Sequence, residues 1–72
     1  MIIDDYASVI KKLRKKMNCS QTELAEILGV SFASVNRWEN GAHEPTIKVK
    51  KRLRELFIKY ELMEEEKSVT NY

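Results

Sequence analysis

"SQTELAEILGVSFASVNRWENG", residues 20–41, holds two short helical patterns separated by a glycine. Ser20 and Glu23 have the S-x-x-E spacing of a capping box, in which each side chain satisfies the other residue's backbone N–H. A helix should therefore run from Gln21 to Leu28. Leu24 and Leu28 stand four apart and share its inner face, and Ala25 is small enough to let another helix cross closely. Gly29 supplies the left-handed residue that ends a helix at little steric cost. Ser31 can cap the next helix, Phe32 to about Asn40, whose inner side carries Val35 and Trp38; Gly41 ends it. The rest of that helix is a mixture of Phe32, Ala33, Ser34, Asn36 and Arg37 that packing does not require.

The flanks read as two more helices. Tyr6, Val9, Ile10, Leu13 and Met17 recur at helical spacing, so Asp4 to Met17 is expected to be amphipathic, capped by Asp4 or Asp5. Lys11, Lys12, Lys15 and Lys16 fall on its polar side. After the loop Ala42-His43-Glu44-Pro45, Thr46 can cap a fourth helix. Val49, Leu53, Leu56, Phe57, Tyr60 and Met63 keep one stripe on it, which extends the expected helix to Glu65 and roughly 30 Å. Glu64 to Glu66 lie at its negative end, where the macrodipole disfavours them, so fraying is expected there and a flexible tail at 67–72. The fold class is all-α: one four-helix domain at 1–66, with a long C-terminal fourth helix and no strand signal.

Composition narrows the function classes. A chain of 72 residues has room for one modest core. Its single cysteine cannot form an internal disulfide, and no apolar run approaches a membrane span. The start, MIIDDY, is acidic where a secretory leader is basic, so a cytoplasmic location is expected. The net charge of +2 conceals an uneven distribution. Residues 11–54 carry eleven Lys and Arg against four Glu, and residues 55–72 carry five Glu against two Lys. A basic body suits an anionic polymer, although lysines on solvated helix faces give the same arithmetic. Catalysis has little to stand on. His43 and Cys19 are the lone members of their kinds, and a zinc site needs more ligands than these. No glycine-rich phosphate loop is present, so no cofactor, metal or small-molecule substrate is expected.

Helix, glycine-containing turn and helix over about twenty residues is the layout of a helix-turn-helix, here at 21–40. Counting Gln21 as the first position, the apolar demands fall at the fourth, eighth, tenth, fifteenth and eighteenth. Leu24, Leu28, Val30, Val35 and Trp38 fill all five, with Ala25 at the small fifth position and Gly29 at the turn. "SQTELAEILGVS", then "VNRWENG", then Pro45 resembles the Cro/C1-type, or XRE, family of DNA-binding regulators over about Val9 to Leu56. The resemblance implies the lambda repressor-like fold. Many members break the chain after the proline into two short helices; the unbroken stripe here is more similar to those with a single fourth helix.

The resemblance also implies a docking mode. The third helix would enter the major groove, with positions 32, 33, 36 and 37 facing outward. Arg37 would pair with a guanine, worth about 1–3 kcal/mol of discrimination. Asn36 would meet an adenine, or only a phosphate. Ala33 and Phe32 would meet thymine methyls, Phe32 having a second reading as a staple folded back on the protein. Gln21, Ser31, Ser34, Asn40, Lys48 and Lys51 would hold phosphates, with Ser31 also serving as a cap. Lys50, Arg52 and Arg54 point in several directions around the fourth helix, so some of them are merely solvated. Arg14 and Glu39 would pair and orient the recognition helix, and Trp38 would be core with a partner for its indole N–H.

The expected function is sequence-specific binding of double-stranded DNA, with transcriptional repression by occlusion of a promoter. The rival is a protein-interaction or antitoxin-like module using the apolar stripe of helix 46–65. Leu56, Phe57, Tyr60 and Met63 could pack there on a second copy, which is compatible with DNA binding to two half-sites.

Overall fold

The computed structural model describes residues 5–63, which form four helices and no strand: α1 (Tyr6–Met17), α2 (Gln21–Leu28), α3 (Phe32–Glu39) and α4 (Ile47–Lys59). Each start is fixed by a local side chain. Asp5 accepts from Ser8 N at 3.2 Å, and Ser31 accepts from Ser34 N at 3.2 Å. Thr46 accepts from Val49 N at 3.4 Å. At α2 the capping box is complete: Ser20 Oγ accepts from Glu23 N at 3.1 Å, and Glu23 Oε1 accepts from Ser20 N at 2.8 Å.

The four ends are alike. In each, an N–H beyond the helix reaches back five residues: Cys19 to Arg14, Val30 to Ala25, Ala42 to Arg37 and Leu62 to Phe57, at 3.0, 2.9, 2.9 and 2.7 Å. This is the Schellman turn, and it needs one left-handed residue. Those residues are Asn18, Gly29, Gly41 and Glu61, with φ of 55°, 71°, 76° and 62°. Gly29 and Gly41 reach that region without strain.

α4 corrects the sequence-based expectation of a helix reaching Glu65. It stops at Lys59, and Glu61 turns the chain back so that Met63 enters the core. Tyr60 and Met63 do fall on the expected stripe, but Met63 reaches the interior from a turn. The expected fraying at Glu64–Glu66 and the tail at 67–72 lie outside the described residues.

Ile10 and Leu13 of α1, Leu24 and Ala25 of α2, Val35 and Trp38 of α3, Leu53 and Phe57 of α4, and Met63 form one buried cluster. α3 packs against both α1 and α2, and α4 against α2. Burial of Phe57 and Met63 also corrects the expected dimer surface. Both side chains are used inside the protein's own core, 0% and 7% exposed, and neither can face a second copy. Leu56 and Tyr60 remain half-buried against the cluster.

Candidate nucleic-acid interface

α3 is anchored along one side and open along the other. Val35 is fully buried, while Trp38 and Glu39 are buried at 6% and 3% exposure. Ser31, Phe32, Ala33 and Arg37 are exposed, and Ser34 and Asn36 are half-buried. Phe32 keeps 51% of its surface open and does not join the side chains packed on the core, so the staple reading is not what the chain adopts. Arg37 forms no ion pair among the described residues. The Trp38 indole N–H, for which a partner was expected, donates to no described side chain or backbone group. Its ring lines shallow cavities beside Gly41–Glu44 and Val49.

Beneath α3 lies a charged pair. Arg14 donates to Glu39 through two nitrogens, Nε to Oε2 at 2.5 Å and Nη2 to Oε1 at 2.9 Å. A third Arg14 nitrogen donates to Cys19 O at 3.3 Å, which ties the α1–α2 connection to the same guanidinium. Burial alone would push the Glu39 carboxyl up. Hydrogen bonds from Arg14 and Gln21, with the charges of Arg14 and Lys11, outweigh it and hold the carboxyl below the usual value for Glu. The bond to Glu39 raises Arg14 further against its own desolvation. For Cys19, burial leads in pushing the thiol up, so its nucleophilic thiolate is disfavoured.

No local pattern in the sequence signals what continues from this pair. Gln21 Nε2 donates to Glu39 Oε1 at 3.1 Å, Asn36 Nδ2 donates to Gln21 Oε1 at 3.3 Å, and Asn40 Nδ2 donates to Asn36 Oδ1 at 3.1 Å. Gln21 and Asn36, expected to reach outward independently, are linked to each other. Ser31 and Ser34 share a hydroxyl–hydroxyl bond of 3.1 Å in addition to the cap.

Basic side chains of α4 frame the same surface. Val30 and Val49 line two adjoining depressions. One is bordered by Ser34 and Arg37, and the other by Gly29, Lys48 and Arg52. Arg37 of α3 and Lys48 and Arg52 of α4 thus border one continuous face. Arg52 was not singled out from the sequence, although its four-residue spacing from Lys48 was a usable signal. Lys51 is exposed on α4 between Lys48 and Arg52 in sequence. Lys50 is held elsewhere, donating to Glu44 at 2.8 Å and lying 5.1 Å from the Tyr6 ring centre. Among the described residues no group of three His, Cys, Asp or Glu side chains is placed to hold a metal, and no helix is long and apolar enough to cross a membrane.

A helix-turn-helix family model matches residues 10–58, which takes in the whole of α2 and α3 and most of α1 and α4. The chain is 50% identical over 48 residues to a Pyrococcus furiosus protein named "Putative HTH-type transcriptional regulatory protein". It is 48% identical over 48 residues to a Pyrococcus abyssi protein of the same description. Each alignment covers 67% of this chain and 15% of the relative, so the chain spans only a small part of the curated relatives' length. No solved structure matches it.

Proposed function

Because the chain belongs to the Cro/C1-type (XRE) helix-turn-helix family, we propose that it binds double-stranded DNA sequence-specifically and regulates transcription in the cytoplasm, as a repressor that occludes a promoter. One observation carries the reading: α3 is held rigidly by Val35, Trp38 and Glu39 while Phe32, Ala33 and Arg37 stand open on its other side. A packing helix has no use for an exposed phenylalanine beside an arginine that forms no ion pair among the described residues. A helix lying in a major groove uses both, one for thymine methyls and one for guanine. Arg37 is the base reader in this proposal, with Phe32 and Ala33 as apolar contacts. Ser31, Ser34, Asn40, Lys48, Lys51 and Arg52 would hold the backbone, which carries no sequence information itself.

The test is selection of bound duplexes from a random pool, followed by Arg37→Ala and Lys51→Ala on the selected site. Arg37→Ala relaxes preference at one base pair, and Lys51→Ala weakens binding to all duplexes similarly. Uniform loss in both variants would remove Arg37 from base reading. A palindromic product would show dimeric binding, through contacts other than Phe57 and Met63.

A further inference from the structure

We infer that Glu39 is a positioning residue for the DNA-facing surface, acting through a one-directional chain of side-chain hydrogen bonds that runs from Glu39 to Gln21, Asn36 and Asn40. This rests on the DNA-binding reading above.

The argument begins with what a carboxylate can do. When ionised it accepts hydrogen bonds and cannot donate. Arg14 and the charge of Lys11 keep Glu39 in that form. The carboxamide of Gln21 must therefore turn its NH2 to Glu39, at 3.1 Å, and present its oxygen to the other side. Asn36 must then turn its own NH2 to that oxygen, at 3.3 Å, and its oxygen is left to accept from Asn40 at 3.1 Å. A carboxamide standing alone has two orientations of nearly equal energy. In this chain, turning Gln21 or Asn36 over would set N–H against N–H on one side and oxygen against oxygen on the other, and turning Asn40 over would set its oxygen against that of Asn36. The three amides are thus coupled, and the carboxylate decides between the two senses.

The consequence is a fixed direction for the N–H groups that stay free. Each of the three amides uses one N–H inside the chain and keeps one. Three N–H donors therefore remain on side chains running from the start of α2 to the end of α3. Donors suit phosphate oxygens. Asn36 has one N–H and one oxygen lone pair engaged in the chain, so the direction of what stays free on it is set by Gln21 and Asn40. In this proposal its free N–H serves the DNA backbone, and sequence reading falls to Arg37, Phe32 and Ala33.

The experiment compares Gln21→Met, Asn36→Ala and the double variant on a duplex selected by the native protein, with Glu39→Gln alongside. Gln21→Met breaks the chain but keeps the Arg14–Glu39 pair, so it stays folded even where Glu39→Gln does not. Each single variant should lose about tenfold in affinity, the loss expected for one hydrogen bond to a charged group. The double variant should lose about the same, and Asn36→Ala should leave base preference unchanged. Losses that multiply to about a hundredfold, or a preference that changes at one base pair in Asn36→Ala, would overturn the proposal. NMR of the free protein supplies a readout without DNA: Gln21→Met should shift the side-chain NH2 signals of both Asn36 and Asn40. Unmoved Asn40 signals would sink the chain while leaving the DNA reading intact. A native protein that selects no duplex would overturn both.

Discussion

Glu39 sits almost wholly out of water yet carries a charge, and its acid titration is the direct measure of what surrounds it. Its carboxyl is held below the usual Glu value of about 4.3. The ionised form is thus favoured by folding, and its stabilising contribution is complete above that value. It is lost as pH falls through the lower, folded-state value. Thermal melts from neutral pH downward should therefore show Tm falling below about pH 4.3. Glu39→Gln should be less stable at neutral pH, because Arg14 loses its partner, and its Tm should fall less steeply in acid. Equal slopes for the two proteins would mean that Glu39 is not held in this way. Residue roles differed in how far the sequence revealed them. The pairing of Arg14 with Glu39 came from the family resemblance, and both partners lie where it put them. The links from Gln21 to Glu39 and Asn36 join residues 18 and 15 positions apart, and no local pattern encodes them.

At the scale of the helices, starts and stops were not equally readable. Starts depend on a side chain and an N–H three residues away, so Ser20 and Glu23 announced α2 to the residue. Ser20→Ala should cost about 1 kcal/mol, the typical value for a lost N-cap, and lower Tm by roughly 4–8 °C for a domain of this size. Stops were legible at Gly29 and Gly41, where composition marks the left-handed residue. The end of α4 was hidden, because a glutamate occupies that conformation and the apolar stripe carries on beyond it. Periodicity reports which residues are buried, and Met63 is buried. It does not report whether the chain arrives there by helix or by turn. Glu61 at φ 62° is strained, and a left-handed L residue costs roughly 1–2 kcal/mol. Glu61→Gly should therefore raise stability by about 1 kcal/mol in urea titration. A loss instead would mean that the Glu61 side chain makes a contribution larger than its backbone strain.

For the whole molecule, the basic body and the helix-turn-helix make one joint prediction about salt. Arg37, Lys48 and Arg52 border one surface, and Ser31, Asn40 and Lys51 are exposed as well. If about four to six phosphates are neutralised, log affinity should fall with log salt at a slope of roughly −4 to −5. Lys48→Ala and Arg52→Ala should each reduce that slope by about one unit, whereas Lys50→Ala should leave it nearly unchanged, since Lys50 is already paired with Glu44. A flat salt profile would point away from a polyanion altogether.

The division of α3 into an anchored side and an open side also bears on how such a protein can change. Phe32, Ala33 and Arg37 touch little of the interior, so substitutions there can redirect the protein to a new target while folding is left alone. Asn36, one turn from Phe32 and next to Arg37, lacks that freedom because its neighbours on α2 and α3 constrain it. Divergence among descendants of this sequence should accordingly concentrate at three positions and pass over the fourth, which makes those three the natural sites for a library that retargets the molecule.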